Sequence, residues 1–448
     1  MQHALRQPSP RPAAARPSRP SRPWRAALAL ALLAFGGPPR RAWAEASTMP
    51  LVEVLAIAPG PHLYAHWGHN ALRIRLEPGP RGEADYDRVF DWGHFRYGRA
   101  FLWHYVTAQP YYRLKTEPFA DVLERYRRRG RWIVAQPITM SRVQALGLVR
   151  TIEAALALRE GEFPYDSLIN NCTTKLRDLL DGQIFDGALR RAMARTPDGR
   201  SFRVISDLHL RQVPLTRWAV NLVYSVFADR PLSRWDAAYL PIALVDLLED
   251  ARLAGDALRL PPGVTIGRPA VRGAVPYDRT LPPLERGWGW IALALALWLG
   301  CGLLPALRPQ GRQARRLARV GLALWAIAAG GLGTLLVLFA LSPSPNYAAN
   351  LNLLGFHPLL FALPLLARRA SHGALASRVA LRVLSALPLL GLVAAAFTGQ
   401  RVWPYLLPAL LVQVAIALRA DRLAQAGGAN APDRPARRGR ATRGRTDA

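Results

Sequence analysis

Five apolar runs crowd the C-terminal third of this chain and constrain its fold more than any other feature. They lie at roughly 288–307, 320–341, 353–367, 383–397 and 404–418. At ~1.5 Å of rise per helical residue, the first reaches about 30 Å, one hydrocarbon core of a bilayer. In lipid each backbone amide and carbonyl needs a partner within the segment, so such runs fold as helices. The last three are short and contain Pro364, Pro388 and Pro408, which predicts tilted, kinked or re-entrant segments. Loop charges set the orientation. Arg308, Arg312, Arg315, Arg316 and Arg319 follow the first run, and Arg368, Arg369, Arg378 and Arg382 follow the third. The alternate loops carry no basic residue or only Arg401. By the positive-inside rule, the arginine-rich loops and the C-terminal tail face the cytoplasm.

The same placement accounts for the formal net charge of +29. Such a balance commonly marks a nucleic-acid partner. Here the arginines cluster beside apolar runs, at the N-terminus and in the tail, with no nucleic-acid-binding motif, so no nucleic acid is expected. The tail, 421–448, is basic and rich in Pro, Gly and Ala, which reads as disordered. Residues 1–44 read as an export signal or an N-terminal anchor. Arginines from Arg6 to Arg25 precede an apolar stretch at 26–35, and Ala42-Trp43-Ala44 fits a small-x-small cleavage site. That stretch is well short of the roughly 20 residues that span a bilayer. Either reading puts 45–285 outside the cytoplasm, followed by an all-α membrane domain at 286–420.

The outside segment has a mixed, α+β pattern. Strands are expected at 71–76, 89–92 and 132–138. Helices are expected at 119–127, 142–158, 173–180 and 218–227, the second capped by Thr139 or Ser141.

Cys172 is the only cysteine in this segment, and Cys301 lies in the first apolar run. A lone exported cysteine has no partner for a structural disulfide. It is either a nucleophile or a buried inert thiol. Its setting, Asn170-Asn171-Cys172-Thr173-Thr174, puts it at a helix start with Asn171 as the cap. There the helix dipole favours a thiolate. A thiol nucleophile needs a base, usually histidine. His69, in His66-Trp67-Gly68-His69-Asn70, stands where a strand begins. Asp91 and His94, on the next strand candidate, are the groups that could orient its ring. For each of these the alternative is an ordinary surface or turn residue. His62, His66 and His69 also cluster, but without a nearby carboxylate or second cysteine, so no metal and no cofactor is expected. Trp103, Tyr105, Tyr111 and Tyr112 form an aromatic group that either lines an acyl-chain groove, touches the membrane interface or packs in the core.

These segments resemble the Lnb N-terminal periplasmic domain family, found in bacterial lipoprotein N-acyltransferases of the Lnb type. The resemblance is carried by residues 63–74, with His66-Trp67-Gly68-His69-Asn70-Ala71-Leu72-Arg73, by Phe90-Asp91-Trp92-Gly93-His94, by Tyr112-Arg113-Leu114, and by residues 165–174 around Asn171-Cys172-Thr173. Pro345-Asn346-Tyr347 and Asn350-Leu351-Asn352 resemble family members too. This chain has Asp91 where relatives often carry asparagine, and His94 where they carry a small polar residue.

The resemblance implies a permuted papain-like α+β domain and a Cys172–His69 pair, with Asp91 and His94 as candidate third groups. It implies a membrane-bound thiol acyltransferase in the bacterial inner membrane. Its acyl donor would be a phospholipid and its acceptor the N-terminal amine of a lipoprotein. Backbone N–H groups at the start of the 173–180 helix would receive the oxyanion. Asn171, Thr173 and Tyr112 would lie against substrate. Asn350 and Asn352 would hold head groups or be plain loop residues. Two other classes use the same residues: a periplasmic cysteine hydrolase, acting on cell wall or phospholipid, and a non-catalytic lipid-binding module with an unreactive Cys172.

Overall fold

The protein is seen here as a computed structural model, which describes residues 50–77, 85–96, 98–107, 110–273 and 311–429. The expected export segment, the first apolar run and residues 430–448 of the tail lie outside these.

The N-terminal region is built on an antiparallel eight-stranded sheet. Its strands are β1 (Leu51–Ile57), β2 (His69–Leu76), β3 (Tyr86–His94), β4 (Tyr111–Pro118), β5 (Ile133–Thr139), β6 (Glu162–Pro164), β7 (Thr265–Ile266) and β8 (Ala270–Arg272). The order is β8-β5-β1-β2-β3-β4-β6, with β7 also on β5. Side chains alternate along a strand, and here both faces are covered. Val52, Val54, Leu72, Ile74, Phe90 and Ile138 pack into the main core. Leu55, Ile57, Ala71, Val89 and Ile133 pack on the other side against Val122 and Tyr126.

The longer helices of this region include α1 (Arg99–Val106), α2 (Phe119–Arg128), α3 (Arg142–Ala157), α4 (Cys172–Gln183), α5 (Pro214–Val223) and α6 (Pro241–Ala254). Ser141 caps α3, taking an N–H from Gln144, as a capping box requires. The expected strands and helices at 71–76, 89–92, 119–127 and 173–180 fall within observed elements of the same type, and those at 132–138 and 142–158 overrun theirs by one residue, at Trp132 and Leu158. The expected helix at 218–227 is corrected: α5 ends at Val223, and Val226–Asp229 forms a 3-10 turn.

The C-terminal region is helical: α7 (Gly311–Ala340), α8 (Leu363–Ser371), α9 (Leu375–Thr398) and α10 (Trp403–Ala429). Four stretches here are long and apolar enough to cross a membrane: Arg315–Ala340, Leu351–Ser371, Leu375–Thr398 and Trp403–Gln425. The second is not one continuous helix. It runs as 3-10 turns at Leu351–Leu354 and Pro358–Ala362 before α8. Pro358 and Pro364 lack amide donors, which prevents an unbroken α ladder.

Side chains from the membrane region join it to the sheet region. The last carbonyls of a helix have no partner inside it. At the end of α5, Asn350 Nδ2 donates to Leu222 O and Val223 O, each at 2.9 Å, and Asn352 Nδ2 donates to Leu222 O at 2.9 Å. Gln400 Nε2 donates to Tyr224 O at 3.1 Å, and Tyr405 donates its hydroxyl to Trp218 O at 2.9 Å.

Candidate active site

The site forms where the start of β2 meets the start of α4. Gly68, with φ of 81°, turns the chain into β2, and a Cβ there would sit 2.6 Å from Ile57 O. His69 is the first residue of β2, opposite Ile57 of β1. Cys172 is the first residue of α4. Asn171 caps the helix: its Oδ1 accepts from Thr173 N at 2.9 Å and Thr174 N at 3.0 Å. Its Nδ2 donates to Ser167 O and Tyr239 O. The Thr173 and Thr174 amides are thus committed to the cap. This narrows the expected oxyanion donors of the helix start to the Cys172 N–H, which the cap does not use.

His69 Nε2 lies 2.6 Å from Asp91 Oδ1. The His69 imidazole is also close enough to act on the Cys172 thiol, and with Nε2 committed to Asp91 the nitrogen left for sulfur is Nδ1. The β3–β4 register shifts between Asp91 and His94, an irregularity of the kind that re-aims side chains. Gly93 N donates to Asp91 Oδ1 at 2.7 Å. His94 Nε2 meets the other carboxylate oxygen, 3.2 Å from Asp91 Oδ2. Asp91 therefore stands between two histidines, and His94 reaches the cluster through it.

The electrostatics favour a charged pair. Burial alone would lower the His69 pKa, but Asp91 and the Cys172 thiolate raise it well above the usual histidine range. Burial would raise the Cys172 pKa, yet His69 and the Asn70 backbone amide bring it below the usual thiol range. Burial opposes ionisation of Asp91 as well, and His69 with His94 holds it far below the usual carboxylate range. Cys172 is half-buried at the edge of the main core.

A second brace runs beside the pair. Thr173 donates its hydroxyl to Asn70 Oδ1 at 2.8 Å, and Asn70 Nδ2 donates to Leu55 O at 3.0 Å. Both residues are buried. Thr173 and Asn171 thus hold the helix and strand in register, which corrects their expected place against substrate. Asn350 and Asn352 are corrected likewise. Both are buried and brace α5 rather than face an interface. Tyr112 is buried in an aromatic wall, its ring 3.9 Å from Tyr165 and 4.9 Å from Phe95 between centroids. Phe95, Tyr165 and Cys172 pack on the same core. Trp103, Tyr105 and Tyr111 are exposed around this wall.

The three clustered histidines diverge: His62 stacks on Tyr64, His66 packs on Trp67, and His69 binds Asp91. Among the described residues no group of three or more His, Cys, Asp or Glu side chains is placed to hold a metal ion. Sequence reasoning missed Asn70, Gly93, Asp166 and Tyr165. A Cβ on Gly93 would overlap the His69 ring, so glycine is required there. Asp166 accepts from Leu168 N and Ile169 N, which shapes the loop before Cys172, and from Ser344 and Asn346 of the membrane region. The signal for Asn70 and Gly93 was their adjacency to His69 and Asp91.

Fold and site define a membrane protein whose sheet domain carries a Cys–His–Asp cluster at a helix start. Residues 41–204 match the Lnb N-terminal periplasmic domain family, and the helical region that follows holds candidate membrane spans. The matched stretch holds Cys172, His69, Asp91 and His94. Neither the comparison with curated proteins nor that with solved structures gives a match.

Proposed function

We propose that the protein is a membrane-bound thiol acyltransferase of the bacterial inner membrane. It moves an acyl chain from a phospholipid, through a thioester on Cys172, to the N-terminal amine of a lipoprotein. The observation that carries this reading is the series Cys172–His69–Asp91, with His69 hydrogen-bonded to Asp91 and with sulfur and imidazole shifted toward an ion pair. At an ordinary pKa of about 8.5 only a few per cent of a thiol is ionised near pH 7, so this shift supplies nucleophile.

In the first half-reaction the Cys172 thiolate attacks the ester carbonyl. The C–O bond of the tetrahedral adduct breaks, and His69 gives its proton to the departing alkoxide, releasing a lysophospholipid. The Cys172 N–H faces the developing oxyanion. In the second half, the acceptor amine attacks the thioester, His69 takes the amine proton, and the thiolate leaves. Asp91 keeps the imidazole oriented and stabilises its positive charge.

A lipid donor is supported by the surroundings. The aromatic wall beside Cys172 suits an acyl chain, and exposed Trp103 and Tyr105 lie on α1, which touches membrane helix α7. Such aromatics favour the membrane interface. The arginine-rich helix ends support a cytoplasmic C-terminal tail. Full-length protein in nanodiscs with acyl-labelled phospholipid and a lipopeptide acceptor provides the test. Wild-type protein should acquire hydroxylamine-sensitive label and yield N-acylated peptide, and Cys172→Ala should do neither. Undiminished transfer by Cys172→Ala would overturn the proposal, and free fatty acid as the sole product would mark a hydrolase instead.

A further inference from the structure

A cavity of about 490 Å³ lies within the membrane bundle, between α7, α8 and α10. That is within the size range of small-molecule pockets, ~300–1,000 Å³. Its depth is apolar, with Leu322, Trp325 and Ile416 in the wall. Arg315, Arg319, Arg368 and Arg419 also line it. Arg315 and Arg319 are one helical turn apart and share a face of α7. Arg368 comes from the end of α8 and Arg419 from α10, so four guanidinium groups converge from three helices.

Among the described residues of the bundle, no carboxylate neutralises them. Asp421 is the single acidic residue in 311–429, and Arg382 engages it at 2.9 Å. Among the described residues none of the four arginines has an acidic partner. Like charges gathered at an apolar cavity repel one another, and an anion seated among them relieves the cost.

Position decides which anion. The opposite end of the bundle, at Asn350, Gln400 and Tyr405, is the one that meets the sheet region. From Arg319 to Ala340 at the far end of α7 the helix rises roughly 30 Å, one hydrocarbon thickness. The arginines therefore sit at head-group depth in the leaflet away from Cys172. We propose that this cleft binds an anionic phospholipid of that leaflet. Its phosphate would sit among the guanidinium forks and one acyl chain would run along Trp325 and Ile416. Guanidinium groups suit phosphate through paired N–H donors, and basic pockets between membrane helices are fitted to anionic head groups. The site is separate from the acyl donor of the proposed reaction.

Trp325 supplies the readout. Full-length protein is placed in phosphatidylcholine nanodiscs holding a minority of lipid with brominated chains, either phosphatidylglycerol or phosphatidylcholine. Quenching assigned to this residue is the difference between wild type and Trp325→Phe. Brominated phosphatidylglycerol should quench several-fold more than brominated phosphatidylcholine at the same mole fraction. Arg319→Gln/Arg368→Gln should abolish that preference while leaving the Cys172 alkylation rate unchanged. Equal quenching by the two lipids in the wild-type protein overturns the proposal without recourse to any arginine variant. So does an undiminished preference in a folded double variant.

Discussion

Thr173 gives its hydroxyl to Asn70 Oδ1 at 2.8 Å, tying the residue after Cys172 to the residue after His69. The bond is buried and spans 103 positions of the chain. It holds the first turn of α4 against the first residues of β2, so sulfur and imidazole meet without either having to search.

Thr173→Val should leave the Asn70 carbonyl oxygen without its donor and loosen this alignment. A buried acceptor left unpaired costs about 1–3 kcal/mol. Cys172 alkylation near neutral pH should slow several-fold, and Thr173→Ser should restore it. If the valine variant alkylated at the wild-type rate, the brace would have no part in aligning the pair.

Asp91→Asn should remove the charge that holds His69 as imidazolium. The His69 pKa then falls, and Cys172, losing its cationic neighbour, rises toward the ordinary thiol range because burial is opposed only by the Asn70 amide. The midpoint of the alkylation-versus-pH curve should move up, and the rate at pH 7 should fall by roughly an order of magnitude or more. An unmoved midpoint would deny Asp91 this electrostatic role.

The pH profile of acyl transfer should be bell-shaped. Activity needs thiolate and imidazolium together. It rises as pH passes upward through the Cys172 pKa, which lies below the usual thiol range. It falls as pH passes through the His69 pKa, which lies well above the usual histidine range. The plateau should therefore lie between the lowered Cys172 pKa and the raised His69 pKa. A rate that climbs continuously through the thiol range would show that no ion pair operates.

Gly93→Ala should push the His69 ring aside, because the new Cβ would overlap its Cε1. Misplacing a catalytic group by about 1 Å can cost ~10²-fold in rate. Circular dichroism should report an intact fold while transfer collapses; full activity in this variant would contradict the described packing.

Asn350→Ala should weaken the joint between the two regions. Val223 O loses its side-chain donor, and Gln400 Nε2 loses one of its two acceptors and keeps Tyr224 O. At about 1–3 kcal/mol for each buried group left unpaired, thermal unfolding in detergent should shift down by several degrees. No shift would mean that these bonds contribute nothing net.

Much of the site was legible because its signals are local. A lone exported cysteine, an asparagine before it and a histidine at a strand start are all visible in short windows. The strands β1 and β4 were not read. In β1 both faces are buried, so Leu51–Ile57 shows no alternation, and in β4 Tyr112 and Leu114 are buried between charged and exposed neighbours. The asparagines at 350 and 352 were misplaced for a related reason. An amide in a loop beside a membrane run looks the same whether it meets a head group or the open carbonyls of a helix elsewhere in the chain.

By itself the sequence determined several helices of the sheet region, the apolar spans, the asymmetry of their arginines and the cap that starts α4. Each of these follows from spacing, composition or a neighbour a few residues away. Only the tertiary structure decided that Asp91, 22 residues from His69, is the group that holds its ring, with His94 on the other oxygen. It alone turned Thr173 and Asn350 from candidate ligand contacts into braces. Such pairings depend on strand register, on a shift near Gly93 and on which helix end lies across a loop, and these are fixed only when distant segments pack together.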